Sequence, residues 1–309
     1  MGTADGSSPS ALRLLVLGAA AGGGAPQWNC RCSVCARAWS GDAEVVPRTQ
    51  ASIAVSLDGE RWTLIDCAPE VLAQIQRNPE LHPRGPRHSP IEAVVLTGGD
   101  IDHIAGLLSL REGTPFTLYA SGELQRTLAD NRVFDVLRPD VVTRTALGLD
   151  ASLALPGGLE ARVFAVPGKA ALYQPDEGEG IGAEGETTVG VEFRHAGRRL
   201  YYVPGCARLS PALAERLEGA DVVLFDGTLW RDDELIREGL GHKTGARMGH
   251  LSMSGPDGSI AALAPLGIRR KVFVHINNSN PVLIEHSAER REAERAGWEI
   301  AFDGMQIVL

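Results

Sequence analysis

The chain has 309 residues, 44% of them hydrophobic and 22% charged, and a formal net charge of -9. This is the composition of a globular protein able to bury a sizeable core; no apolar run is long enough to cross a bilayer, and an acidic balance without a basic block excludes nucleic acid bound through phosphate neutralisation. Five cysteines, three of them within one hexapeptide, exclude a disulfide framework and point instead to thiolate metal ligands in a reducing compartment.

Residues 1–10 are small and polar, with no basic cluster ahead of an apolar core. A disordered tail is expected there rather than a secretory leader, which makes the cytoplasm the expected compartment. Leu12 to Leu17 reads as a strand and feeds the glycine-rich stretch GAAAGGGAPQWN. Next comes NCRCSVCARA, where Cys30, Cys32 and Cys35 form a C-x-C-x-x-C array. Three thiolates this close can converge on one tetrahedral zinc, needing a single further ligand from elsewhere, whereas three free thiols beside a glycine loop would invite oxidation. Such a closed site is structural and would pin the loop.

Strands are expected at Ala51 to Leu57, Trp62 to Ile65 and Ala93 to Leu96, with helices at about Glu70 to Arg77, Ile104 to Leu110 and Gly122 to Asp130. The stretch LTGGDIDHIAGLL passes from strand to helix and sets Asp100, Asp102 and His103 at the junction. Alone, that is an ordinary helix start with an N-cap aspartate. The second half repeats the scheme, with strands at Glu160 to Ala165, Val189 to Arg194, Arg199 to Val203, Val222 to Phe225 and Lys271 to Val274. Helices are expected at about Pro211 to Leu217, Gly258 to Ala264 and Val282 to Ala296, and Gly168 to Glu186 is acidic and glycine-rich enough for a mobile loop. Asp226 follows the strand VVLF and His275 follows KVFV, so three strand ends carry metal-ligand residue types. His250, in MGHLSM, would shuttle protons near neutral pH if it lines the same cleft. With no linker between the halves, one domain spanning 1–309 with an internal pseudo-repeat is expected.

The order of D-x-D-H, the V-P-G turn at Val166 to Gly168, strand-end Asp226 and strand-end His275 resembles the metallo-β-lactamase superfamily. The resemblance implies an α+β fold, a four-layer αββα sandwich of two pseudo-symmetric halves. The superfamily's H-x-H-x-D-H falls here on Gly98, Asp100, Asp102 and His103, and its later histidine falls on Lys169. This implies that one of two metal sites is lost while Asp102, His103, Asp226 and His275 keep the other. Such a mixed imidazole and carboxylate set suits Fe2+, and also Zn2+ or Mn2+ as purified. LGAAAGGGAPQWNCRCSVCARA, TGGDIDH, LFDGTLWRDDEL, MGHLSM and FVHINNSNPVL together resemble a narrower branch, the B family of pyrroloquinoline quinone (PQQ) synthesis.

That branch implies an iron-dependent hydroxylase that uses O2 on the tyrosine ring of a crosslinked Glu-Tyr precursor freed from a peptide. Asp100, His250 and Lys169 are then the candidate catalytic side chains. A carrier of PQQ or its precursor, and a metal-dependent hydrolase, are the alternatives. The implied partners are the small-molecule precursor and O2, with no nucleic acid and no membrane; a homodimer is left open. Related phosphodiesterases of phosphonate breakdown share the cysteine array and place a histidine three residues after the last catalytic histidine. Here that position is Asn278, the candidate fourth ligand of the structural zinc through its amide oxygen, with another residue or water as the alternative.

Overall fold

In the computed structural model, which describes residues 11–171, 173 and 180–309, the apolar runs of each half pair into a sheet of their own. The tail expected at 1–10 and part of the loop expected over 168–186 lie outside the described residues. The first sheet is built from β1 (Arg13–Gly18), β2 (Ser52–Ser56), β3 (Trp62–Ile65), β4 (Ile91–Val95), β5 (Phe116–Ser121) and β6 (Val142–Leu147). The second contains β7 (Ser152–Ala154), β8 (Glu160–Ala165), β9 (Val189–His195), β10 (Arg198–Val203), β11 (Val222–Asp226), β12 (Arg270–Val274) and β13 (Trp298–Ile300). β14 (Gln306–Val308) returns to the first sheet, antiparallel to β1. Each sheet is an antiparallel set that continues as a parallel one: β3 to β6 run parallel in the first, β10 to β13 in the second. The two halves therefore repeat one plan.

The helices are α1 (Ser33–Trp39), α2 (Val71–Arg77), α3 (Ile101–Ile104), α4 (Gly122–Asp130), α5 (Pro211–Leu217), α6 (Glu234–Arg237), α7 (Gly245–Met248), α8 (Ser259–Leu263) and α9 (Ala288–Arg295). Serine hydroxyls start three of them, Ser121 accepting from Leu124 N, Ser210 from Leu213 N and Ser287 from Arg290 N. The strands explain the layering. In β11, Val222 and Leu224 point between the sheets, while Val223 and Phe225 point outward beneath the helices. A strand covered on both faces has no need of polar residues, which is why its sequence is an unbroken apolar run. Between the sheets Val16, Ile53 and Val55 meet Val191, Tyr202 and Val272. On one outer face Leu64, Val94 and Leu118 pack on Val71 and Leu124; on the other Tyr201, Phe225 and Phe273 pack on Leu213, Leu263 and Ala293. The result is the expected αββα sandwich.

Two expected helices differ. In place of the helix expected over 104–110, one α turn at Ile101–Ile104 tightens into a 3-10 helix over Ala105–Leu110. The cause is a close backbone approach: Gly106 N donates to Cys67 O at 2.9 Å, and a Cβ on Gly106 would stand 2.1 Å from Ala68 O. The helix expected over 282–296 is a short 3-10 turn at Pro281–Leu283 and then α9, with Ser287 capping a fresh start. The strands β5, β6, β7, β13 and β14 carry no long apolar run, and the sequence reading does not anticipate them.

Candidate metal centre

Parallel strands bring their carboxyl ends to one edge, and here both sheets deliver chemistry to that edge. Asp66 follows β3, the Thr97 to His103 turn follows β4, Asp226 ends β11 and His275 follows β12. Isolated bridges between Gly98 and Thr188, and between Ala20 and Ile276, stitch the two halves together there.

Asp102, His103 and His275 offer ligand atoms that lie within 4.8 Å of one another. His275 Nε2 is 3.1 Å from Asp102 Oδ2, and His103 Nε2 is 3.9 Å from the same oxygen. Their other ring nitrogens are held from behind. His103 Nδ1 stands 3.0 Å from Asp66 Oδ2, and Asp66 itself accepts from Thr97 N at 2.8 Å and Thr97 Oγ1 at 2.7 Å. His275 Nδ1 is 2.8 Å from Thr228 Oγ1. This backing fixes each ring's orientation and tautomer, as ligating histidines require. His275 and Asp66 both adopt positive φ, 57° and 61°, a strained setting for a residue with a side chain and one that marks functional turns.

The electrostatics favour a cation. Burial alone would raise the Asp102 carboxyl, yet His103 and His275 hold it well below the usual carboxylate range. Burial would lower His103, but Asp66 and Asp102 outweigh it and push the imidazole up to about 10. A pocket that stabilises positive charge this strongly, with two imidazoles and a carboxylate turned inward, has the donor set for a divalent ion. The glycine loop lies alongside, with Gly22 placed so that a Cβ there would be in ordinary contact with the Asp102 carboxylate, 3.5 Å away.

Asp226 belongs to a second set of possible ligands, which shares His275 with the first. It groups with His250 and His275, not with Asp102 and His103. Its carboxylate is fully buried and already surrounded by donors: Oδ1 accepts from Thr228 N at 3.0 Å and Thr228 Oγ1 at 2.6 Å, Oδ2 from Cys206 N at 2.9 Å and His250 Nδ1 at 2.7 Å. Despite burial, which raises it, His250 and Thr228 hold Asp226 below its usual value. His250 in turn stacks on His275, with ring centres 5.3 Å apart. Its Nδ1 is engaged by Asp226, and His250 lines the same cavity as His103 and His275. Lys169 and Asp100 line it too, with Lys169 Nζ 3.5 Å from Asp100 Oδ2. Six of the residues expected from sequence thus line one cavity, and Asp226 lies behind it, bonded to His250. Asp66, Thr97 and Thr228 are the ones sequence reasoning passes over; Asp66 had the same strand-end signal as Asp226.

The cysteine cluster is a second, separate group. Cys30, Cys32 and Cys35 are all buried, with sulfurs within 4.8 Å of one another, and Cys32 also serves as the N-cap of α1. Burial, with the crowding of Cys30 and Cys35, pushes the Cys32 thiol up to about 12. A divalent ion among the sulfurs would reverse that preference. The Asn278 amide lies over the cluster, its Nδ2 position 3.1, 3.7 and 3.2 Å from the sulfurs of Cys30, Cys32 and Cys35. Ligands around a tetrahedral zinc stand about 3.6 Å apart, and a half-turn of the amide puts Oδ1 in that place. Asn278 therefore fits the fourth position. His275 and Asn278 sit on one short loop, 275–280, so a single turn of chain reaches both groups.

A beta-lactamase superfamily domain matches residues 61–276. The chain is 56% identical over 299 residues to "Coenzyme PQQ synthesis protein B" of Methylorubrum extorquens, covering 96% of this chain and 100% of that one. It is 53% identical over 300 residues to the protein of that name from Rhizobium meliloti, covering 97% and 99%. Among solved structures, the Zn2+-bound PqqB of Methylobacterium extorquens superposes with a TM-score of 0.94 at 56% identity, covering 96% of this chain and 100% of that one. A diphosphatase of the PhnP family, at 24% identity and a TM-score of 0.69 with 97% of each chain covered, shares the fold.

Proposed function

The chain belongs to the coenzyme PQQ synthesis protein B family, within the beta-lactamase superfamily, and from that premise we propose that it serves PQQ biosynthesis as an iron-dependent hydroxylase. Its substrate in this reading is the crosslinked Glu-Tyr intermediate, and the reaction adds oxygen from O2 to the tyrosine ring. One observation carries the chemistry: two histidines and one carboxylate, Asp102, His103 and His275, converge on one side of an open cavity. That donor set with open positions is the one non-haem Fe(II) oxygenases use.

Asp102, His103 and His275 would hold the ion, and Asp226 would position His250 rather than ligate. When bound, Fe2+ supplies O2 activation, which side chains alone cannot provide. The protein does the rest. Asp66 and Thr228 keep the two imidazoles aimed, through the contacts at 3.0 and 2.8 Å. His250, its Nδ1 anchored on Asp226, would take or return the phenol proton at Nε2. Lys169, paired with Asp100, would face the substrate as one half of a fixed ion pair. Cys30, Cys32, Cys35 and Asn278 would hold a structural zinc. An aerobic assay of the Fe2+-reconstituted protein with the Glu-Tyr diamino acid, and ascorbate to balance the electrons, tests the reading. Oxygen consumption with a mass gain of one oxygen atom per turnover is expected; unchanged substrate would overturn it.

A further inference from the structure

Among the described residues, three lysine and arginine side chains line the cavity of about 320 Å3 that contains Asp102, His103 and His275: Lys169, Lys243 and Arg247. In a chain with 39 acidic and 30 basic residues, that local excess needs a reason. Lys169 already has a counter-charge in Asp100, and its stem is clamped by Gly249, where a Cβ would lie 3.0 Å from Lys169 Cγ. Lys243 and Arg247 differ: both are exposed at the mouth, and neither side chain has an ion-pair or hydrogen-bond partner among the described residues. Among the described residues, the acidic ones lining the cavity are Asp100, facing Lys169, and Asp102, among the imidazoles.

The segment that carries these two cations is fixed. Thr244 Oγ1 accepts from Arg247 N at 3.3 Å and Asp232 Oδ1 from Ala246 N at 2.7 Å, while His250 N donates to Gly245 O at 3.0 Å. The same turn therefore places Lys243, Arg247 and His250. Cations carried on a fixed turn, without a partner among the described residues, at the mouth of an otherwise acidic protein form a site for anions, and guanidinium suits carboxylates in particular.

We propose that Lys243 and Arg247 bind the carboxylates of the substrate and so set its orientation, ring inward toward His103 and His275 and amino-acid ends at the mouth. This rests on the substrate class of the preceding section, a diamino acid with several carboxylates. Lys243 and Arg247 are specificity residues, and the reaction chemistry stays with the groups deeper in the cavity.

Calorimetric titration of the full chain with the Glu-Tyr diamino acid and with its methyl esters tests this. Lys243→Ala and Arg247→Ala should each weaken binding of the acid roughly tenfold, the size of one charge-assisted hydrogen bond, and Arg247→Glu should weaken it more. Binding of the acid should also fall as salt rises, and the esters should bind wild type as weakly as the acid binds the double variant. Metal content should not change in any of them. If Arg247→Glu binds the acid as wild type does, if the esters bind as well as the acid, or if wild type does not bind the acid at millimolar concentration, the inference is overturned. Arg247-dependent binding without oxygen consumption would support the carboxylate site while removing the hydroxylase reading.

Discussion

In the proposed reading, His250 and Asp226 separate from the residues that would hold the ion at the level of single atoms. With both oxygens of Asp226 engaged by Thr228, Cys206 and His250, Asp226→Asn should leave the metal content of the cavity intact. The same change should slow turnover, as should His250→Ala, by roughly 10²- to 10⁴-fold, the usual worth of a positioned proton carrier. Metal analysis beside the assay checks this; loss of the cavity ion in Asp226→Asn would make Asp226 a ligand. Conversely, His103→Ala should empty the cavity site and leave the cysteine site loaded, and Cys32→Ser should do the reverse, each read by elemental analysis of protein purified without oxygen. At this scale the sequence was informative where a ligand type closed an apolar strand, as at Asp226 and His275. It was silent on Thr228, a small hydroxyl two residues past a strand end, whose importance comes only from the two imidazoles and the carboxylate that meet it.

Glu234, at the start of α6, links an element to its surroundings through a buried carboxylate. It accepts from Trp230 N at 2.7 Å and Ser279 Oγ at 2.5 Å, yet burial prevails and pushes its carboxyl up from 4.5 to about 7. The folded state then binds this proton more tightly than the unfolded chain, so between about pH 4.5 and 7 stability falls as pH rises. Glu234→Gln keeps an acceptor for Trp230 N and removes the titration. Thermal melts should show the variant gaining on wild type from pH 5 to pH 7.5, by up to about 3 kcal/mol; parallel pH profiles would refute it. Legibility follows the same logic for whole elements. β2, β3 and β11 are covered on both faces and read plainly as apolar runs, whereas β6 is a half-exposed edge strand and β14 has three residues, so neither leaves a pattern to find. The 3-10 turn after α3 was hidden for another reason, since only the facing backbone of Cys67 and Ala68 dictates it.

Across the whole molecule, the sandwich works as a frame that brings strand ends from two sheets to one place, and its stability should answer to what binds there. Ions that bind the folded state alone stabilise it by mass action, about 2.7 kcal/mol at one hundred times the dissociation constant. Stepwise chelation should therefore lower the thermal midpoint in two stages, one for each group, and a single stage would mean that one group holds no ion. The loop from His275 to Asn280 gives that experiment an order. One turn of chain carries both a cavity histidine and the amide over the cysteines, so an ion held among the thiolates and Asn278 should steady the loop on which His275 stands. An oxidant that strips the cysteines would thus loosen the footing of His275 without ever entering the cavity.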